Sequence, residues 1–389
     1  MGRPKRVVPP AMILTLDFGG SGLKGIVQTV DGMPQALYME PEVSPASLSS
    51  LQEKTESNLG RAYPENIAWV GAAGEYRAVG YLAASRYNAN PGLSRKKYES
   101  AFYKILAAIW VAKEKLKLPD GGSVSLALLL PPGEFEDSQL LLPMLKAALP
   151  EFITPTGTMS CSLTSYECFP EGGGIYLNYC KLFGEAIKRS VVAVISVGYR
   201  NASVLVSRRG VVDKGRTTNL GMVRLVELVM ERTSGLTAES LVGAIAAAGN
   251  DMSAKHFWKL TTSSTQAARQ AEVSKIIEAI SKSRLEYAIA LTSWLAEVLP
   301  LREELDEVII CGGTADYLKQ ELNDCFRATP VVWHGGVEIP PLLNEQWLGS
   351  RLADVWGLSA YHAAKVRASY AGGKTIRRQV KQEVVVQNG

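Results

Sequence analysis

The sequence predicts a duplicated α/β fold whose two halves each carry a glycine-rich β-hairpin, and three observations lead to it. The first is Asp17-Phe18-Gly19-Gly20-Ser21-Gly22-Leu23-Lys24, set between apolar runs at 12–16 and 25–30, the second ending in a turn at Asp31-Gly32. The second is the return of this arrangement. An apolar run at 191–195 leads into Ser196-Val197-Gly198-Tyr199-Arg200-Asn201, then a run at 202–206 and a turn at Arg209-Gly210. The third is the alternation of strand-like and helix-like segments in both halves, which indicates α/β domains. In the first hairpin, glycines leave backbone N–H groups free to converge on an anion. Lys24 adds a point charge for phosphate oxygens, and Asp17 offers a carboxylate for a hydrated metal.

The elements follow in order. Residues 41–64 are rich in Ser, Pro and Glu and read as loops around a weak strand. Segments 68–71 and 78–84 read as short strands, and Pro91-Gly92 as a turn. From 96 to 117 the pattern is helical, because Tyr98, Ala101, Phe102, Ile105, Leu106 and Ile109 recur at three and four residues and place one face on a core. Pro119-Asp120-Gly121-Gly122 ends it. The continuous apolar run 123–130 fits a strand buried on both faces, stopping at Pro131-Pro132, and a helix containing 140–149 follows. In the second half, 220–234 is an amphipathic helix closed by Gly235, and Thr237 caps another running to Gly249. Residues 267–298 form a long helix. A strand at 307–311 enters Gly312-Gly313-Thr314 and a short helix at 315–323. A strand at 330–333 and a final helix at 352–366 complete the chain. With no short-period repeat, solenoids are excluded.

A chain of 389 residues suits two domains. Its 47% hydrophobic and 21% charged residues are those of an ordinary soluble globular protein. No apolar run approaches the length that spans a bilayer, so no direct membrane binding is expected. The basic start is not followed by a signal-peptide core. Five cysteines, an odd number without zinc-ligand spacing, and three scattered histidines read as free thiols in a reducing cytoplasm. A net charge of +4 is too small to identify a partner. The tails are more basic, with Arg3, Lys5 and Arg6 at one end and Lys374, Arg377, Arg378 and Lys381 at the other. They read as solvated ends more readily than as contacts for nucleic acid or acidic surfaces.

Four segments bear on nucleotide chemistry: the Asp17–Lys24 hairpin, Pro170-Glu171-Gly172-Gly173-Gly174-Ile175, the Ser196 hairpin, and Ile309-Ile310-Cys311-Gly312-Gly313-Thr314-Ala315. In the last, the glycines let a planar base or ribose lie against the backbone, with a helix N-terminus near phosphate. Each alone also reads as a turn, a loop or a helix cap. In this order they resemble the actin, Hsp70 and sugar-kinase superfamily of ATPases. Within it, Gly80-Tyr81-Leu82-Ala83, the helix beginning at Lys96, Leu130-Pro131, the Pro170–Gly174 segment, Leu220-Gly221-Met222 and Arg351-Leu352-Ala353-Asp354-Val355-Trp356-Gly357-Leu358 resemble the ParM/StbA group of bacterial actins.

The resemblance implies a duplicated actin-like ATPase fold with two domains around a nucleotide cleft. Residues 12–185 would form domain I, with a C-terminal helix at about 352–368 returning to it. Residues 186–350 would form domain II, and 1–11 and 369–389 basic tails. It implies ATP or ADP with Mg²⁺, the metal held by Asp17 through water. Gly19, Gly20, Ser21, Gly22 and Lys24 would contact the β- and γ-phosphates, and Glu171 would position the attacking water. Ser196, Gly198, Tyr199, Arg200 and Asn201 would form the second phosphate clamp. Gly312, Gly313 and Thr314 would line the adenosine site, with Gly221 near it. One departure stands out: the family places an aspartate where Ser196 stands and a second acid where Ser203 stands. Serine supplies no charge, so weaker metal binding or slower hydrolysis is expected, with Arg200 a candidate to compensate at the γ-phosphate. The implied function is a filament-forming cytoplasmic ATPase for plasmid segregation, acting through a DNA-binding adaptor at a centromere-like site. Alternatives are a scaffold filament with little hydrolysis and a sugar-kinase-type phosphotransferase, although no base for a substrate hydroxyl stands out. An Hsp70-like chaperone ranks last for want of a substrate domain.

Overall fold

The computed structural model describes residues 8–53, 62–90, 96–344 and 348–371. The turn expected at Pro91-Gly92 and all the basic tail residues named above lie outside the described residues. In chain order the first half contains β1 (Met12–Gly19), β2 (Gly22–Gln28), β3 (Gln35–Met39), β4 (Val43–Pro45), α1 (Leu48–Glu53), β5 (Trp69–Ala72), β6 (Glu75–Val79), α2 (Tyr81–Tyr87) and α3 (Lys97–Leu116). It continues with β7 (Ser123–Leu130), α4 (Ser138–Ala148), β8 (Phe152–Thr154), β9 (Gly157–Met159), β10 (Ser162–Pro170) and α5 (Gly173–Phe183). The second half contains β11 (Val191–Val197), β12 (Ala202–Arg208), β13 (Val211–Val212), β14 (Arg216–Thr218), α6 (Met222–Met230), α7 (Ala238–Ala248) and α8 (Gln266–Val298). It ends with β15 (Glu307–Cys311), α9 (Gly313–Tyr317), α10 (Lys319–Cys325), β16 (Val331–Trp333) and α11 (Ala353–Ala371).

These strands make two principal sheets of one topology. The first runs β10-β7-β1-β2-β3 and the second β16-β15-β11-β12-β13, with β14 also paired to β12. In each, a hairpin supplies two antiparallel strands, and the later strands add in parallel beside its first strand. The duplication expected from the hairpins is therefore present in the hydrogen-bond ladders. A third sheet, β4-β6-β5-β8-β9, belongs to the first half.

Apolar patterning explains where the core sits. After Ser123 every residue of β7 is buried, as a parallel strand between two layers requires. Helix α3 buries Phe102, Ile105, Leu106, Ile109 and Trp110 against β1, β7 and the small sheet. A separate core in the second half joins β11, β12 and β15 to α6, α7 and α8. Helix α11 crosses back to the first sheet, where Val355 and Leu358 pack on Ile26, Ala127 and Leu129. Each such apolar side chain contributes about 1.5–3 kcal/mol when fully buried. Its His362 is also inserted, with Nε2 2.7 Å from Ser125 Oγ and Nδ1 3.3 Å from Thr15 Oγ1.

Several expectations need correction. The strand read at 78–84 stops at Val79, because Gly80 takes φ +68° and Tyr81 starts α2. Strands β3, β8, β9 and β10 carry too weak an apolar pattern to stand out; β10 is half-buried and rich in Ser and Thr. Helix α5 was hidden because it begins with two glycines, the poorest ordinary helix formers. The helix read at 220–234 is shorter, Met222–Met230. Thr237 does cap α7, its Oγ1 accepting from Ser240 N at 3.3 Å. The five cysteines are free thiols. Among the described residues no helix is long and apolar enough to cross a membrane.

Candidate functional site

The two hairpin turns face each other across a cavity of about 250 Å³. Its lining includes Asp17, Gly19, Gly20, Ser21 and Lys24 from the first, and Ser196, Gly198, Tyr199, Arg200 and Asn201 from the second. Glu171, Gly312, Gly313 and Thr314 complete the expected set. A methyl group on Gly20 would lie 3.0 Å from Arg200 Cβ, so the turns are in direct apposition. Two expected residues are not on the wall. Gly22 packs under Tyr38, where a Cβ would sit 2.3 Å from the ring, and Gly221 packs under the second turn, 2.3 Å from the Arg200 carbonyl carbon. Both glycines shape loops rather than touch the cavity.

The first turn is fixed by side chains. Asp17 and Lys24 face each other in the ladder and form an ion pair of 2.5 Å. Lys24 Nζ also donates to the Arg351 carbonyl at 3.2 Å, while Arg351 Nη2 donates to Ser21 Oγ at 2.9 Å. The Tyr38 hydroxyl donates to the Ser21 carbonyl at 2.9 Å. The second turn is fixed by backbone. The Gly198 carbonyl accepts from Met222 N at 3.2 Å and from Thr314 Oγ1 at 2.8 Å, so α6 and α9 hold it from both sides. Gly312 is required at its position: φ is +101° and a Cβ would lie 2.3 Å from the Val197 carbonyl oxygen. Met222, Val242 and Ala246 add an apolar part to the cavity wall.

Glu171 sits in the turn between β10 and α5, its backbone N–H donating to the Leu130 carbonyl at 2.8 Å. Its carboxylate is ion-paired with Lys97. Burial pushes the Glu171 carboxyl above the usual range, opposed by the charge of Lys97. The Lys97 backbone N–H in turn donates to Glu134 at 2.5 Å, and Arg200 pairs with Glu134 at 3.0 Å. Arg200 therefore links the second hairpin to the first half through a carboxylate, so the charge expected at the γ-phosphate already has a partner.

Sequence reasoning missed Lys97, Ser350, Arg351 and Asp354 as cavity residues. A signal existed for Lys97: a cation in the first turn of a helix opposes the helix dipole, so it implies a tertiary partner. Arg351 and Asp354 are legible in the sequence only through the family likeness. The Asp354 carboxylate is buried and accepts from the backbone N–H groups of Gly172 at 2.6 Å, Gly174 at 2.9 Å and Ile175 at 3.2 Å. Burial, then the charge of Asp17, pushes this carboxyl up to about 7 against the lowering pull of the amides.

The residues fit a metal–nucleotide pair better than a metal alone. Among the described residues no group of three His, Cys, Asp or Glu side chains could hold an ion. Of the three carboxylates on the wall, Glu171 is paired with Lys97 and Asp354 is taken by three amides, which leaves Asp17 as the one that could hold a magnesium ion that keeps its waters and takes phosphate ligands. Ser196 and Ser203 occupy, in the second sheet, the ladder positions that Asp17 and Lys24 hold in the first. The second jaw thus brings backbone dipoles but no carboxylate at that position.

No protein-family model matches the chain, and no curated protein matches it in sequence. Solved structures do match its shape. The actin-like protein Alp7A is 15% identical with a TM-score of 0.62, covering 92% of this chain and 97% of its own. A ParM from Clostridium botulinum, determined as a 15-stranded filament, is 13% identical with a TM-score of 0.60, covering 91% and 99%. Ta0583, an archaeal actin homologue, is 14% identical with a TM-score of 0.55, covering 90% and 98%. Another neighbour is the filament structure of Alp12, at 17% identity and a TM-score of 0.55. The fold is therefore actin-like.

Proposed function

We propose that this chain is an actin-like ATPase that binds Mg-ATP between its two hairpin turns and polymerises into filaments. One observation carries the nucleotide site: two sheets of the same topology bring both glycine turns, the Gly312 strand–helix junction and Glu171 to one cavity. Residues 12–185 with the helix at about 352–368, and 186–350, are the two domains of this reading.

Bound Mg-ATP supplies the phosphoanhydride and the metal charge that neutralises it. The chain supplies position and electrostatics, which phosphoryl transfer chiefly needs. The backbone N–H of Gly20, in the first turn, would face the phosphates, while the Gly198 N–H donates to the Asn201 carbonyl at 2.9 Å and holds the shape of the second turn. Asp17 would hold the metal through water, and Lys24, its ion-pair partner here, would set its charge against the phosphate oxygens. Glu171, as a carboxylate, accepts a hydrogen bond from the attacking water and orients it. Gly312 and Gly313 let the nucleoside lie on the backbone, against Met222, Val242 and Ala246.

Polymerisation is inferred from the fold and from the filament structures of the C. botulinum ParM and Alp12. Plasmid segregation through a DNA-binding adaptor extends this by resemblance to the ParM group. A second reading, a nucleotide-binding scaffold filament with little hydrolysis, is favoured by the uncharged Ser196 and Ser203 positions. Light scattering and electron microscopy with ATP, ADP and a non-hydrolysable analogue test the first reading, with phosphate release measured in parallel. A critical concentration with ATP supports it. Absence of polymers in every nucleotide state over a wide concentration range overturns it, and polymers without phosphate release select the scaffold.

A further inference from the structure

We propose that Asp354 is a positioning residue for Glu171, holding the β10–α5 turn through the Gly172 amide so that the Glu171 carboxylate stays aimed into the cavity. The inference rests on the ATPase reading and adds a residue to it. Glu171 has one backbone anchor on its N-terminal side, the bond from its own N–H to the Leu130 carbonyl. On the other side, the next N–H along the chain, that of Gly172, ends on Asp354 Oδ2 at 2.6 Å. Oδ1 takes the Gly174 and Ile175 amides, so the carboxylate also caps α5 at its positive end.

The frame behind this contact has little slack. Helices α5 and α11 cross at glycines: a Cβ on Gly174 would lie 2.0 Å from the Asp354 carbonyl oxygen, and one on Gly357 would lie 2.4 Å from the Gly174 carbonyl oxygen. Gly172 takes φ +88°, a left-handed conformation that a β-carbon disfavours. Glycine reaches this conformation without strain, and the Asp354 carboxylate, by taking the Gly172 N–H, selects it. Three residues earlier, Arg351 grips Ser21 of the first hairpin turn. One short stretch of chain therefore fixes the phosphate loop and the Glu171 turn relative to each other. A carboxylate is needed because both of its oxygens accept; an asparagine would set an N–H₂ group against either the Gly172 amide or the Gly174 and Ile175 amides.

The test is a double-mutant cycle on the full chain, with phosphate release giving kcat and KM and a fluorescent ATP analogue giving affinity. Asp354→Asn is expected to lower kcat by about tenfold or more, the effect of losing one charge-assisted hydrogen bond, with little change in nucleotide affinity. In a Glu171→Gln background the same substitution is expected to cost nothing further, because residues acting through one another are non-additive. Gly172→Ala, which strains the same turn and leaves the carboxylate in place, should reproduce the kcat loss and serves where Asp354→Asn fails to fold. An unchanged kcat, losses that multiply in the double variant, or a matching fall in affinity overturns the proposal. Wild-type protein that binds Mg-ATP without turnover also overturns it while leaving the nucleotide site standing. Wild-type protein that binds no nucleotide overturns the site itself.

Discussion

His362 should make the protein acid-sensitive in a way that one substitution removes. Its ring lies in α11, 1% exposed, between the Thr15 hydroxyl on β1 and the Ser125 hydroxyl on β7. Both partners can donate or accept, so the neutral ring is satisfied in either tautomer. Charging it is what costs: burial lowers its pKa to about 4 from the usual 6.5, with only partial relief from Glu167 and a smaller opposing effect of Lys365. The folded state therefore binds its proton later than the unfolded chain does. Stability is complete above the unfolded pKa and is lost as pH falls from about 6.5 through 4. A shift of roughly 2.5 units corresponds to about 3.4 kcal/mol in full, and about 2.5 kcal/mol of it is gone by pH 4.5. Denaturant unfolding at pH 7.5 and 4.5 measures the total acid loss, which other carboxylates share. The difference between wild type and His362→Gln isolates this residue. The variant is expected to start less stable and to lose about 2.5 kcal/mol less on acidification. Equal losses in both proteins would refute the reasoning.

Three further outcomes follow from the site. Gly312→Ala should abolish binding of a fluorescent ATP analogue, because the new methyl group meets the Val197 carbonyl oxygen at 2.3 Å; measurable binding near wild-type affinity would contradict the required φ of +101°. Ser196→Asp restores a carboxylate at the ladder position equivalent to Asp17 and should lower the Mg²⁺ concentration for half-maximal phosphate release by about tenfold, a coupling of order 1.4 kcal/mol. An unchanged magnesium dependence counts against the metal reading. Lys97→Met leaves Glu171 buried without its counter-ion, which should cost about 3–5 kcal/mol near neutral pH. That substitution raises the folded pKa of Glu171 further, so the loss should shrink as pH falls toward 5; urea melts at the two pH values decide it.

Strands whose side chains are apolar throughout, and helices with a clear three-and-four spacing, were legible from sequence: β7, α3 and α8 needed no structure. The hairpin turns were legible for another reason, since clustered glycines beside an acid and a lysine have few structural explanations. What escaped was set by contacts distant in sequence. Helix α5 starts on Gly173-Gly174 because Gly174 must let the α11 backbone approach, so a packing demand overrides helix propensity. Lys97, Arg351 and Asp354 join the cavity only through folding that brings residues 74 to 330 positions apart together, as the Lys97–Glu171 and Arg351–Ser21 contacts show. Gly22 and Gly221 read as ligand-site residues for the opposite reason. Glycine in a motif signals close approach, but sequence alone does not say whether a ligand, a Tyr38 ring or a neighbouring loop is approaching.

The two sheets make the asymmetry of the site interpretable. Because Asp17 and Ser196 occupy equivalent ladder positions, as do Lys24 and Ser203, the missing charges cannot be an accident of alignment. Among the described residues, the acids that face the cavity hang from the first sheet or from the helix that returns to it: Asp17 on β1, Glu171 after β10 and Asp354 on α11. The second half contributes glycine backbone, the apolar wall and the Arg200 guanidinium, which is already tied to Glu134. In the proposed reaction, charge neutralisation and water positioning then belong to one half, while enclosure of the nucleotide requires both. Loss of contact between the halves would spare the acids and their amide supports but open the cavity.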